Sequence, residues 1–169
     1  MKKVKVRQYD MELDEFKHPK LVLLKEFDYC RDEKEKFDYI AVSKMICSCL
    51  RLADKAEEYV YAAAYTLAGG LLGVFELNHG SNCSSRIHFR ELMQRMWLVG
   101  AGGFILIHNH PSGDPTPSND DIESYKDAVR MGEFFETQCL DFIIVGRSFD
   151  EGQCAVYSFT KEKMDAEAN

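Results

Sequence analysis

The order of apolar and amphipathic segments predicts an α/β (α+β) three-layer sandwich, a mixed β-sheet flanked by helices. Three observations lead there. Short apolar runs of strand type alternate with longer segments of helical period. A chain of 169 residues, 46% hydrophobic, is sized for one domain with a substantial core. The longest apolar runs, YVYAAAY and TLAGGLLGVF, are broken by Thr66 and by Gly69-Gly70 before reaching about twenty residues, so they read as paired strands and not as a membrane helix.

Each element follows in order. Residues 1–18 are charged and read as aperiodic, a loose arm ahead of the domain. PKLVLLKEF is the first predicted strand, YCRDEKEKFD a charged loop, and DYIAVSKMICSCLRLADK a helix. Strands are expected at about 58–67 and 71–78, and a helix at about 88–99. GGFILIH, apolar and with β-branched residues, is a buried strand ending near His108. A long helix starts after Ser118, and LDFIIVG and VYSF are two closing strands. The domain is thus 19–162, with 163–169 a polar tail; no internal repeat or low-complexity segment interrupts it.

The chemistry concentrates in HNHPSGDPTPSNDD, residues 108–121. Side chains two apart on a strand point the same way, so His108 and His110 can face one cation if the strand runs through Asn109. Pro111 lacks an N–H and ends the ladder. The proline-rich loop leads to Ser118, a helix N-cap, which puts Asp121 in the first helical turn, where a folded-back loop brings it to the histidines. Two His and one Asp are ordinary zinc donors, and three protein ligands leave one position for water. A competing reading exists for the acid: Ser118-x-x-Asp121 is close to a capping box, in which Asp121 serves only the helix terminus.

H-x-H, seven residues, then S-x-x-D resembles the JAMM (JAB/MPN+) metalloprotease motif, and HNHPSGDPTPS resembles its RadC-like branch. The resemblance runs over about residues 20–160, through EYVYAAAYTLAGGLLGVFELNHGS, IHFRELMQRMWLVGAGG, LDFIIVG and VYSF. Phe89 stands where the family has Pro, and Phe142 where it has His. The resemblance implies a fold like that of the cytidine deaminases, a zinc ion on His108, His110 and Asp121, and hydrolysis of peptide or isopeptide bonds by activated water. It also implies that Ser118 stabilises an oxyanion and that a Glu from an earlier strand is the general base. Glu57 and Glu58 both qualify, but strand alternation puts them on opposite faces; register with the family assigns Glu58. The H-x-E and P-C-x-x-C signature of zinc deaminases is absent, which disfavours deamination.

Charge and cysteine usage restrict the alternatives. A formal net charge of -7 lacks the basic footprint of phosphate binding. Lys2, Lys3, Lys5 and Arg7 are the one basic cluster, and no helix-hairpin-helix region precedes the JAMM-like part, so DNA binding by this chain alone is the minority reading despite the DNA-repair label attached to RadC proteins. A non-catalytic, zinc-stabilised interaction module is a third reading. Six scattered cysteines without C-x-x-C, and an N-terminus without a signal-like apolar core, predict a reduced cytoplasmic protein. Cys47 and Cys49 lie two apart on a helix and do not share a face, which argues against a metal site there. His18 and His79 read as surface or turn residues, and His88 as a helix-start group. A protein or peptide substrate is expected, with a homodimer through an edge strand as a possible assembly.

Overall fold

Seven strands share one mixed sheet in the computed structural model, which describes residues 2–31, 39–80, 87–147 and 154–167. They are β1 (Lys2–Leu13), β2 (Pro19–Arg31), β3 (Glu58–Tyr65), β4 (Leu71–Gly80), β5 (Gly103–Asn109), β6 (Gln138–Arg147) and β7 (Cys154–Ser158). The helices are α1 (Tyr39–Leu50), α2 (Phe89–Leu98), α3 (Asn119–Phe134) and α4 (Phe159–Glu167). Strand order is β2-β1-β4-β3-β5-β6-β7. β1 meets β4 in parallel, β5 meets β6 in parallel, and the remaining neighbours are antiparallel.

The sheet is covered on both faces, which makes the predicted sandwich. Against one face pack Met45, Ile46 and Cys47 of α1 and Leu52 of the 3-10 turn that follows it, over Val6, Tyr61, Ala63, Ile105, Ile107, Ile143 and Val145. Against the other pack Leu92, Met93 and Met96 of α2, Ala128 of α3 and Phe159 of α4, over Val60, Ala62, Ala64, Phe104, Leu106, Phe142 and Ile144. Odd and even residues of β3 and β5 thus serve different cores, as the two-residue period of a strand requires. The fully buried β5 reads as a continuous apolar run for the same reason: both of its faces lie under helices.

Three boundaries differ from the sequence reading. The loose arm is a strand: β1 pairs along its length with β2, from Lys2 opposite Arg31 to Leu13 opposite Pro19. KVKVR alternates with period two, burying Val6 completely while Lys5 and Arg7 reach Glu26 of β2. Residues 2–13 are therefore part of the sheet and not an arm outside it. Second, the helix predicted through Lys55 stops at Leu50, because Arg51 turns left-handed (φ 52) before the 3-10 turn Leu52–Asp54. Third, most of the polar tail belongs to α4. Its start is held from a distance: Asp141 of β6 accepts the Thr160 N–H at 3.0 Å and the Ser158 hydroxyl at 2.6 Å, while Ser158 Oγ accepts the Lys161 N–H at 3.1 Å. Ser158 is thus the local N-cap of α4, and Asp141, seventeen residues upstream, supports it. Residues 32–38 of the predicted charged loop, Cys83, and the last two residues of the tail lie outside the described residues.

Candidate metal centre

β5 delivers the histidines. Val60 of β3 pairs with His108, and even-numbered residues of both strands face the α2/α3 side. His108 is held there with its side chain 5% exposed. Its Nδ1 lies 3.1 Å from the Tyr59 carbonyl, which fixes a proton on Nδ1 and leaves the Nε2 lone pair for the cleft. His110, just beyond the strand, is oriented in the same way, with Nδ1 2.8 Å from the Asp114 carbonyl. Each imidazole is thus fixed by a backbone oxygen on its outer nitrogen, the usual support of a metal-ligating His.

The loop between strand and helix closes the site. The His110 N–H donates to Val145 O and the Gly113 N–H to His110 O, a turn that needs the positive φ of 90° at Gly113. Asp114 then accepts from both the N–H and the hydroxyl of Thr116. The turn rests on Gly146 of β6, where a Cβ would stand 2.1 Å from the Gly113 carbonyl oxygen. Ser118 caps α3 in a complete capping box: its Oγ accepts the Asp121 N–H at 3.2 Å, and the Asp121 carboxylate accepts the Ser118 N–H at 2.8 Å. The Ser118 hydroxyl also donates to Asp121 Oδ2 at 2.6 Å.

Capping and ligand geometry therefore coexist on Asp121. Its Oδ2 is 3.3 Å from His110 Nε2, and its Oδ1 is 3.8 Å from His108 Nε2. One donor atom from each of the three residues lies within 4.8 Å of the others. Donors on a tetrahedral zinc, each about 2.0–2.1 Å from the ion, stand about 3.3 Å apart, so the donor set and its spacing fit such an ion. His108, His110 and Asp121 form a group able to hold a metal.

Electrostatics agree with that use. Burial would push the Asp121 carboxyl up, but the bonds from His110 and Ser118 and the charge of His108 hold it down at about 2. Burial lowers His108 below the ordinary 6.5, while the bond to Asp121 raises His110 above it. Both rings also feel the carboxylate of Glu58.

Glu58 opens β3 and lines the cleft with His108, His110, Ser118 and Asp121. It shares the parity of Val60, Ala62 and Ala64, which face the α2/α3 core; Glu57, more exposed, also borders the cleft. The cleft, about 920 Å³, is also lined by Asp120, Glu123 and Asp127, and by no Lys or Arg among the described residues. Phe142 packs beneath, its ring 6.5 Å from that of His108 and 5.6 Å from Phe159.

The other candidates stay apart. His18 lies in the β1–β2 turn near Asp14, and His79 bonds Glu76 at 2.8 Å. His88 holds the N-cap position of α2 but makes no side-chain cap. Cys47, Cys49, Cys139 and Cys154 are unbridged, although Cys47 and Cys154 touch at 2.9 Å. No described helix is long and apolar enough to cross a membrane. The sequence reading gave no role to Asn109, which is 1% exposed and bonds the Tyr59 N–H and the Glu57 carbonyl at the start of β3. A polar residue sharing the parity of Ile105 and Ile107 in an apolar strand was the available signal.

The sequence profile of the RadC-like JAB domain matches residues 40–164. A UPF0758 protein of Latilactobacillus sakei is 33% identical over 115 residues, covering 67% of this chain and 51% of the relative. A UPF0758 protein of Syntrophomonas wolfei is 40% identical over 78 residues, 46% of this chain and 33% of the relative. One from Bacillus cereus is 45% identical over 67 residues, 40% of this chain and 30% of the relative. The chain thus spans about half or less of these relatives' length.

Proposed function

This chain belongs to the RadC-like JAB domain family, and from that premise we propose that it is a zinc-dependent hydrolase of peptide or isopeptide bonds. The observation that carries the reading is the gathering of two Nδ1-anchored imidazoles, a carboxylate held at about 2 and a further carboxylate, Glu58, around one cleft. His108, His110 and Asp121 hold the ion. A bound zinc ion polarises the scissile carbonyl and brings the pKa of water near 7. Glu58 accepts the water's proton and delivers it to the leaving amine. Ser118, whose hydroxyl donates to Asp121 Oδ2 in the structure, is the donor that would serve a developing oxyanion, an interaction of about 3 kcal/mol for one such donor.

A DNA ligand suits this cleft poorly. Its described rim is acidic, and Lys5 and Arg7, two members of the basic cluster, are committed to Glu26. Both features repel or withhold what a phosphate backbone needs.

The test is a panel of peptide and isopeptide substrates offered to the zinc-loaded chain and to Glu58→Gln. Hydrolysis by the parent that disappears in Glu58→Gln with zinc content unchanged is the expected result. Hydrolysis that survives the substitution removes Glu58 as base. Zinc binding with no turnover, and ligand substitutions that alter only thermal stability, would favour an interaction module.

A further inference from the structure

Where β5 runs out, one side chain continues its ladder. Val60 opposite His108 is the last residue pair between β3 and β5, and beyond it the His110 N–H turns to Val145 of β6. β3 extends further, so the backbone groups around Glu58 need other partners. Asn109 provides them. Its Oδ1 accepts the Tyr59 N–H at 2.8 Å, and its Nδ2 donates to the Glu57 carbonyl at 3.1 Å. These two groups belong to the peptide units on either side of the Glu58 Cα. The carboxamide has the same donor and acceptor as a peptide and stands in for the missing residue of the ladder.

The clamp lies behind the site. Asn109 has the parity of Ile105 and Ile107 and so projects to the α1 face, opposite the histidines. It touches neither the cleft nor any candidate ligand donor atom through its side-chain bonds. His108 Nδ1 adds a third bond, to the Tyr59 carbonyl. The segment bearing Glu58 is thus fixed by the side chains of two consecutive residues of the motif, and β3 cannot shift along β5 without breaking all three bonds. A one-residue slip would carry Glu58 to the other face of the sheet, away from the histidines.

We infer that Asn109 is a positioning residue, a carboxamide splint that holds the strand end bearing Glu58 over the metal site. This rests on the proposed role of Glu58 as base. Glu57 also borders the cleft, but Glu58 alone shares the parity of Val60 and His108. The ladder sets that parity; the splint holds the strand end that carries Glu58 beyond the ladder's last pair.

The experiment uses the full chain with Asn109→Ala and the near-isosteric Asn109→Leu, beside Glu58→Gln. In the metal-free chain, amide hydrogen exchange at Tyr59 should quicken about tenfold in the Asn109 variants while Ile105–Ile107 stay protected. Cobalt(II) then serves as the probe. The pH midpoint of its visible spectrum should move in both Asn109 variants in the same direction as in Glu58→Gln, with cobalt affinity unchanged. Unchanged exchange at Tyr59 overturns the splint whether or not metal binds. A cobalt titration in the Asn109 variants that superimposes on the parent, while Glu58→Gln shifts it, overturns the positioning role. Failure of the parent chain to take up cobalt strikes the functional reading instead, and the exchange result alone then decides the splint.

Discussion

His110 Nε2 lies 3.3 Å from Oδ2 of Asp121, although a strand end, a loop with three prolines and a helix cap separate the two residues in sequence. The contact exists because each side chain is independently fixed, His110 by the Asp114 carbonyl and Asp121 by the Ser118 cap. The three donor groups are thereby preorganised.

Ser118→Ala should cost about 1 kcal/mol, the usual loss of a helix N-cap, measured as a lower thermal midpoint of the metal-free chain. Asp121 is depressed from 3.8 to about 2, so its contribution is complete above 3.8 and is lost as pH falls through about 2. Without the serine its folded value rises toward 3.8. The gap in midpoint between parent and variant should therefore narrow in acid, and a gap independent of pH would contradict the assignment.

Zinc stabilisation should grow with pH across about 5.5 to 8, because a cation competes with protons for the imidazole nitrogens. Burial lowers His108 while the bond to Asp121 raises His110 above 6.5, so His110 is the ring that chiefly releases a proton. In the metal-free chain the raised His110 adds stability below its unfolded pKa, and this is lost as pH rises through the folded one. Both effects widen the difference in melting midpoint between loaded and metal-free protein toward alkaline pH. A difference that shrinks would refute the assignment.

Gly146→Ala tests the support under the loop. The new Cβ meets backbone of Gly113 at 2.1 Å, and neither chain end of that contact is a flexible side chain. The expected outcome is a loss of about 1–3 kcal/mol by denaturant unfolding, with zinc affinity reduced about tenfold or more as the loop shifts away from His110. Unaltered zinc affinity would show that the loop's seat is not what sets the ligands.

Val6→Ala tests whether the first strand belongs to the domain. Val6 is fully buried with Met45, Ile46 and Tyr61 in the α1-side cluster, so its truncation should cost on the order of 2 kcal/mol in denaturant unfolding. A loose arm would show no change.

The gathering of His108, His110 and Asp121 was legible in the sequence because strand period, proline and helix cap all act locally. β1 was misread because its alternation, Val4 and Val6 between Lys and Arg, is short and charged, and its pairing partner Glu26 lies in β2. The reading of α1 overran because Arg51 adopts a left-handed turn that its sequence does not announce. α4 went unread because VYSF reads as a strand through Phe159, which hides Ser158 as a helix cap; Asp141 of β6 supports that cap. Glu58 could be chosen over Glu57 only by resemblance; in the structure both border the cleft, and Glu58 shares the parity of Val60, Ala62 and Ala64. For β1 and α4 the missing information is a partner distant in sequence; for α1 it is a local backbone turn.

Elemental analysis of the purified chain beside His108→Ala and Asp121→Ala tests the central claim most directly. We predict about one zinc per chain in the parent, as three protein ligands around one open position require, and loss of that zinc in both variants. A parent that takes up no zinc when it is supplied, or variants that retain it in full, would contradict the account.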